Sequence, residues 1–514
     1  MTVQTIDDTQ IRSQQEHIDK ATALEPAQLQ EIRALAAQLL DLPVLPILGA
    51  GAAHDCGVRL ATALGEDLYN DYVSDPAYAG QPRGEVAHDL SDVAQAILNA
   101  AGQVAVVKAI GLDDPLLWPE AQNVPEHFCL YRVLSRLARE EFFKEVIGFN
   151  YDCANEAGLE REGYQQSPKT TAGLKFADHA TVIADSETMY ELQRDGALTY
   201  YKAHGCAHRF RELALTDEER AAKTIIICKS QLTHWRNDAW MRERLRDRAR
   251  DHVLMLIGFA AQDGAVHAEL QGVLNEVYSE LPATGQPRLV VIDWRPNTPV
   301  LVGLIKSGLG EQAAPDGVIT KINVSAGNSS TTATALILLA ETLRLRLEPH
   351  LEAQGYTLPD DLDPQLAALT ITAPLMMRWT YLLRGPSKDQ YFQKINLEQA
   401  AHGGYVPLMA DPPETALSLD TRVKLRDALG KATAESTRET LEDHGFLTHA
   451  GFAYLPVALT LEELLAACRP GGLIGRARVT LGSPVHLERV LVTQHDGGLR
   501  AVHIDTGTEV AVPA

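Results

Sequence analysis

The sequence predicts an α/β protein: a doubly wound, mostly parallel sheet with a helical insertion, followed by a smaller α+β domain at the C-terminal end. Three observations carry that expectation. Short apolar, β-branched runs recur and end in Gly, Asn, His or Asp; helical patterns separate them; and the first run, Val44 to Leu48, breaks off into the small residues Gly49, Ala50 and Gly51. Strands buried on both faces read as continuous apolar runs, the pattern of a parallel sheet covered by helices.

The elements follow in order. A polar arm leads into PAQLQEIRALAAQLLDL, where Leu29, Ile32, Leu35, Leu39 and Leu40 share one side of a helix expected to pack beside the first strand. The stretch VLPILGAGAAHDCG then reads as a buried strand that stops at a glycine turn. Gly49 and Gly51 leave room for a phosphate at the main chain, and the N–H groups that follow open a helix whose positive end favours an anion. The turn is either a pyrophosphate site or a tight strand-to-helix connection that binds nothing. The full G-x-G-x-x-G fingerprint is missing, because His54 stands at its last position.

Residues 58 to 141 are expected to be a helical insertion covering the pocket. The sheet pattern resumes in KEVIGFNYD, LTYYKAHG, TIIICKSQ, DHVLMLIGFAAQD, PRLVVIDW and GVITKINVSA, with a polar, glycine-bearing interval after the first of these. Ligands of such sheets bind beyond the carboxyl ends of the strands, where Asn150, His204, Asp263 and Asp293 stand. A closing helix over TTATALILLAETLRLRLEPHL and a proline-containing hinge, GYTLPDDLDPQ, divide the chain into residues 1–355 and 356–514. The second part reads as mostly helical to about residue 463, ending in a β-meander of RARVTLGS, ERVLVTQ, LRAVHI and EVAVPA.

Composition sets the outer limits. With 514 residues and 45% hydrophobic content the chain can bury real cores, and its formal charge of −22 argues against broad nucleic-acid binding. Arg242, Arg244, Arg246, Arg248 and Arg250 alternate with acids on a probable helix and read as a salt-bridged face. The polar N-terminus and the lack of a membrane-length apolar run lead to the expectation of a cytoplasmic protein without membrane contact. Six cysteines without a C-x-x-C pair indicate neither a zinc ribbon nor a disulfide framework, so no metal is expected. No G-x-x-x-x-G-K-[ST], H-E-x-x-H or G-x-S-x-G is present.

Four elements in this order resemble the sirtuin-like NAD-consuming family, particularly its zinc-free branch in bacterial antiphage defence: Gly49-Ala50-Gly51, Asn150-Tyr151-Asp152, His204-Gly205, and Gly258-Phe259-Ala260 with Asp263. The resemblance covers about residues 42 to 350. It implies a Rossmann-like fold and NAD as substrate. Asn150 would position a ribose hydroxyl or the attacking water, Asp152 would bind the nicotinamide carboxamide, and His204 would be the base. Gly49, Ala50, Gly51, Asp55, Gly258, Asp263 and Asp293 would line the dinucleotide, Asp293 at the adenosine ribose. The family's usual small hydroxyl residues are replaced by Ala53 and Ala260, its Thr-Gln by Gly148-Phe149, and its Asp-Phe-Arg by the run beginning Gly57-Val58-Arg59-Leu60.

The expected activity is hydrolysis of NAD to nicotinamide and ADP-ribose by a metal-independent NADase. The expected setting, which rests on the resemblance, is a homo-oligomeric defence effector that depletes NAD in abortive infection, released by a phage-derived trigger or a translocase-type partner ATPase. The alternative is a non-catalytic module that binds NAD or ADP-ribose and governs assembly with that ATPase; Ala53 and Ala260 favour it.

Overall fold

The computed structural model describes residues 26–56, 58, 61–74, 89–114, 130–161, 164–166, 176–184, 196–235, 239–258, 287–293, 319–323, 490–495, 498–503 and 509–512, with single positions of helical stretches at 270–276 and 334–345. The chain divides into two units, one of residues 38–160 and 164–331, the other of residues 1–37, 161–163 and 332–514. The hinge and the helical part of the C-terminal region lie outside the described residues.

The first unit contains β1 Val44–Leu48, β2 Glu145–Gly148, β3 Gln165–Gln166, β4 Phe176–Ile183, β5 Gly196–Lys202, β6 Val253–Ile257, β7 Leu289–Asp293 and β8 Ile319–Asn323. They form one sheet in the order β3-β4-β5-β2-β1-β6-β7-β8. Every adjacent pair is parallel, as expected for a Rossmann-like α/β fold. The direction of winding reverses between β1 and β6, the place where such sheets open a ligand crevice. All five residues of β1 and of β6 are buried, because neighbours and helices cover both faces. Pro46 sits inside this central strand. It lacks an N–H, and the β1–β2 ladder registers only beyond it, at Ile47–Ile147 and Leu48–Gly148.

The helices are α1 Pro26–Leu39, α2 Ala61–Ser74, α3 Leu90–Ala101, α4 Gln103–Ala109, α5 Leu130–Arg139, α6 Ala154–Arg161, α7 Ala207–Ala214, α8 Glu218–Lys223, α9 Lys229–Trp235 and α10 Ala239–Asp251, with a 3₁₀ segment at Ala50–Cys56. In α1 the expected stripe holds, with Ile32, Leu35 and Leu39 buried. Between β1 and β2 all described elements after the 3₁₀ segment are helical, matching the expected composition of that stretch. Met241, Leu245 and Ala249 of α10, spaced four apart, join Leu45, Ile47, Tyr201, Leu254 and Leu256 in one core on one sheet face. The arginines of α10 lie away from that stripe. Arg248 grips Glu145 at the start of β2 bidentately, at 2.7 and 2.9 Å, and Arg244 bonds the same carboxylate. Burial pushes the Glu145 carboxyl up, but these two guanidiniums outweigh it and hold it below the usual range. Arg246 pairs with Glu276.

Two strand expectations are corrected. TIIICKSQ is not a strand: its backbone groups are taken by other partners, Ile226 N–H by the His204 carbonyl, Ile227 and Cys228 N–H by Gln231 Oε1, and the Ile225 and Ile226 carbonyls by Gln103 and Tyr151. Helix α9 follows at once. Conversely, β3 and β4 lie in the interval read only as polar and glycine-bearing; β4 contains FADHATVI, where Asp178 and His179 interrupt the apolar run that marks the other strands.

In the second unit, Arg33 of α1 donates to the buried Glu341 at 2.9 Å, and Arg344 donates to its other oxygen at 2.8 Å. The chain ends in an antiparallel meander, β9 Val490–His495, β10 Gly498–His503 and β11 Glu509–Val512, in the order β11-β10-β9. These are three of the four expected strands; RARVTLGS lies outside the described residues.

The turns after β1 and β6 touch backbone to backbone. Gly51 N–H donates to the Gly258 carbonyl at 2.9 Å. A Cβ on Gly51 would lie 2.8 Å from that oxygen, and one on Gly258, at φ +65°, would lie 2.5 Å from Ala52 N. Gly258→Ala should therefore destabilise the protein by at least the roughly 1–3 kcal/mol of a strained non-glycine backbone. Gly272→Ala, with nothing within 4 Å of the new methyl and a helical backbone, should be neutral or stabilising. Urea unfolding midpoints of the two variants against the parent check this.

Candidate functional site

The sequence motifs stand at the carboxyl ends of four neighbouring strands, β5, β2, β1 and β6, and a row of backbone hydrogen bonds carries the ladder past those ends. Ala203 N–H donates to Gly148 O at 2.8 Å, Phe149 N–H to Leu48 O at 3.0 Å, Gly49 N–H to Ile257 O at 2.9 Å, and Gly258 N–H to Ile292 O at 3.1 Å. The residues that follow in each strand, His204, Asn150 and Ala50, are thereby set in register along one edge.

Asn150 is buried, and its amide nitrogen donates to Gly49 O at 3.0 Å and to the Tyr131 hydroxyl at 2.9 Å. A main-chain carbonyl only accepts, so the atom facing Gly49 must be the nitrogen. Both amide hydrogens are thus committed inside the protein, leaving Oδ1 as an acceptor. Tyr131, on α5, is fully buried, and burial pushes its phenol well above the ordinary range, keeping it a neutral partner.

Asp152 is almost wholly buried. Its Oδ1 accepts the Ala154 N–H at 2.9 Å at the start of α6, while Oδ2 has no hydrogen-bond partner among the described residues. Burial raises its carboxyl above the usual range, with the Lys202 charge opposing. His204 is buried edge-on against Phe149, centroids 4.9 Å apart, and lies roughly parallel to the Tyr151 ring at 6.5 Å. Phe149, directly before Asn150, therefore packs against the histidine. Gly205 after it has φ +99°, and any Cβ there would lie 2.5 Å from the Thr224 carbonyl.

Below this edge lies a buried cation that the sequence reading missed. Lys202 Nζ is fully buried and donates to Tyr151 O at 3.4 Å, Asp152 O at 2.5 Å and Glu156 Oε1 at 2.8 Å. Burial pushes the Glu156 carboxyl up to about 7, against the pull of Lys202. Cys153 and Cys206, whose sulfurs are 3.9 Å apart, adjoin it. The thiols and the Glu156 carboxylate lie within 4.8 Å of one another. A search for C-x-x-C could not find a pair 53 residues apart. The signal available was positional: each cysteine directly follows a motif, Cys153 after Asn150-Tyr151-Asp152 and Cys206 after His204-Gly205.

The glycine turn is more self-contained than expected. The N–H groups of Gly49, Gly51 and Ala52 are satisfied by Ile257, Gly258 and Gly49 carbonyls, and the segment that follows is 3₁₀. Asp263 and Ala260 lie outside the described residues, as do the side chains of Asp55 and Asp293; the backbone of Asp293 ends β7 opposite Asn323.

No curated protein matches the chain. The family model of the SIR2-like domain matches residues 144–301, which include Asn150, Asp152, His204, Gly258, Asp263 and Asp293, while Gly49 to Gly51 precede the match. The chain thus carries a SIR2-like domain, and that domain fits an NAD-related function.

Proposed function

We propose that this protein is an NAD glycohydrolase, cleaving NAD with water to nicotinamide and ADP-ribose. The observation that carries the reading is Asn150: an amide clamped by Gly49 O and Tyr131, with its carbonyl oxygen left to accept, in register beside His204. As nicotinamide leaves, the ribose becomes oxocarbenium-like, and a water or ribose hydroxyl must be held by an acceptor that does not itself rotate. Asn150 Oδ1 suits that task. His204 takes the proton of the attacking water, histidine being the side chain whose charge changes near neutral pH. Asp152 Oδ2, buried and without a hydrogen-bond partner among the described residues, suits the N–H of the nicotinamide carboxamide. The pyrophosphate would meet the 3₁₀ segment beyond Ala52, with Asp55, Gly258, Asp263 and Asp293 around the dinucleotide.

No metal is needed for this chemistry. In the cell we assign the chain to antiphage defence as a cytoplasmic, homo-oligomeric effector, with residues 356–514 as the regulatory domain that answers a trigger or a partner ATPase. Among the described residues no helix is long and apolar enough to cross a membrane. A second reading, a binding module without turnover, draws support from Ala53 and from the three turn N–H groups already satisfied internally.

Free nicotinamide released from NAD by full-length protein, with and without phage components, separates the two. Asn150→Ala and His204→Ala should each lower turnover about 10²-fold or more. Asn150→Ala also strips Gly49 O of a donor, so a stability loss of roughly 1–3 kcal/mol should accompany it. Full turnover by either variant would overturn the assignment. Dialysis against a chelator should change neither turnover nor Tm; loss of both, restored by zinc, would reveal a metal dependence.

A further inference from the structure

The buried cluster beneath the site has a chemistry of its own. Cys206 ends the segment that begins at His204 and stands immediately before α7; Cys153 ends the Asn150-Tyr151-Asp152 segment and stands immediately before α6. Their sulfurs are 3.9 Å apart, and Cys206 Sγ is also 3.9 Å from Glu156 Oε1. The neighbouring Cys153 sulfur and the Lys202 ammonium hold the Cys206 thiol below its ordinary range despite burial, while contact with Cys206 and burial push Cys153 above. Two sulfurs this close beside a buried ammonium are the arrangement of a reactive dithiol.

A metal fits this cluster poorly. The ammonium of Lys202 already sits 2.8 Å from Glu156 Oε1, so a divalent cation on the same carboxylate would face a buried positive charge. The described residues also supply one ligand fewer than a closed tetrahedral zinc site takes.

We propose that Cys153 and Cys206 form a redox-active dithiol, which a small oxidant of the peroxide class converts to a disulfide that switches the site off. The Cys206 thiolate attacks one peroxide oxygen, forming S–O, breaking O–O and releasing hydroxide. The Cys153 sulfur then attacks the resulting sulfenic acid, forming S–S and breaking S–O. The departing hydroxide and the Cys153 proton leave as water. One thiolate and one thiol are oxidised to the disulfide, and one peroxide is reduced to one water and one hydroxide; the hydroxide takes up the proton that Cys206 released on ionising. The burial of both sulfurs selects for an oxidant near the size of water. Closing the gap from 3.9 Å to the roughly 2 Å of a disulfide draws together the strand-end segments of β2 and β5. His204, which follows β5 and packs against Phe149 and Tyr151 beyond β2, shifts with them.

The test uses the full-length, freshly reduced chain and hydrogen peroxide. Non-reducing peptide mapping should show a Cys153–Cys206 crosslink that dithiothreitol reverses. In Cys153→Ser, peroxide treatment followed by denaturation in a dimedone-type probe should label Cys206, whereas in Cys206→Ser treated in the same way Cys153 should stay unlabelled. Absence of the crosslink in folded parent protein overturns the proposal, as does labelling of Cys153 in Cys206→Ser equal to that of Cys206 in Cys153→Ser. Stoichiometric zinc in the purified protein, released together with these two thiols, overturns it as well.

The effect on turnover rests on the NAD reading. Oxidation should lower nicotinamide release about 10-fold to 100-fold, the cost of displacing a positioned group, and Cys206→Ser should be insensitive to peroxide. A crosslink with unchanged turnover refutes the switch. Reduced protein with no turnover under any trigger counts against the catalytic reading instead, and the crosslink still decides the dithiol.

Discussion

The row of main-chain hydrogen bonds across the carboxyl ends of β5, β2, β1, β6 and β7 is the constraint on which the rest depends. Each bond joins the residue just past one strand to the last carbonyls of its neighbour, from Ala203 to Gly148, Phe149 to Leu48, Gly49 to Ile257 and Gly258 to Ile292. A parallel ladder allows no slippage by one residue without turning every side chain to the other face. Once Leu45, Ile47, Leu254 and Leu256 are committed to the core under α10, the positions of Asn150 and His204 along the edge follow. Core packing and site geometry are therefore one problem: the apolar alternation that buries the strands also sets the register of the polar residues that end them.

The glycines at this edge serve packing before they serve any ligand. Gly51 and Gly258 are small because two turns meet there, with 2.9 Å between the Gly51 nitrogen and the Gly258 oxygen. Sequence reasoning assigned Gly51, together with Gly49, to close approach of a phosphate. Both readings invoke the missing Cβ, and only the identity of the atom occupying the vacated space separates them. For Gly51 that atom is the Gly258 carbonyl. The same logic explains Gly205, whose missing side chain leaves space taken by the Thr224 carbonyl.

What was legible in the sequence was whatever depends on local pattern. The apolar runs of β1, β6 and β7 could be read because strands buried on both faces need uninterrupted hydrophobic residues; β4 could not, because Asp178 and His179 break its run. TIIICKSQ misled for the converse reason: Ile225 and Ile227 are buried as strand residues would be, yet tertiary partners claim the backbone groups a ladder needs. At the site, Asn150 and His204 were visible as polar residues ending apolar runs, and Asp152 only through the resemblance. Tyr131, Lys202 and the Cys153–Cys206 pair were not, because their meaning lies in contacts between distant segments. Lys202 in particular sits in the polar end of a strand and reads as an ordinary exposed lysine.

That lysine explains how a polar loop can be rigid in a buried place. A desolvated ammonium is costly unless its donors are satisfied, and Lys202 finds Glu156 and the carbonyls of Tyr151 and Asp152. Two of those three acceptors belong to the Asn150-Tyr151-Asp152 segment itself. The segment is thus held from below by a buried charge, from the side by the Tyr131 hydroxyl on Asn150, and from the sheet by Gly49 O. Breaking a buried pair by removing one partner typically costs about 3–5 kcal/mol. A loop secured to that degree holds its acceptors in place, which is what the proposed NAD site requires. Asn150 Oδ1 and Asp152 Oδ2 are such acceptors, one with its amide hydrogens spent and the other buried without a partner among the described residues. The stability of the loop and the preorganisation of the site are the same set of bonds counted twice.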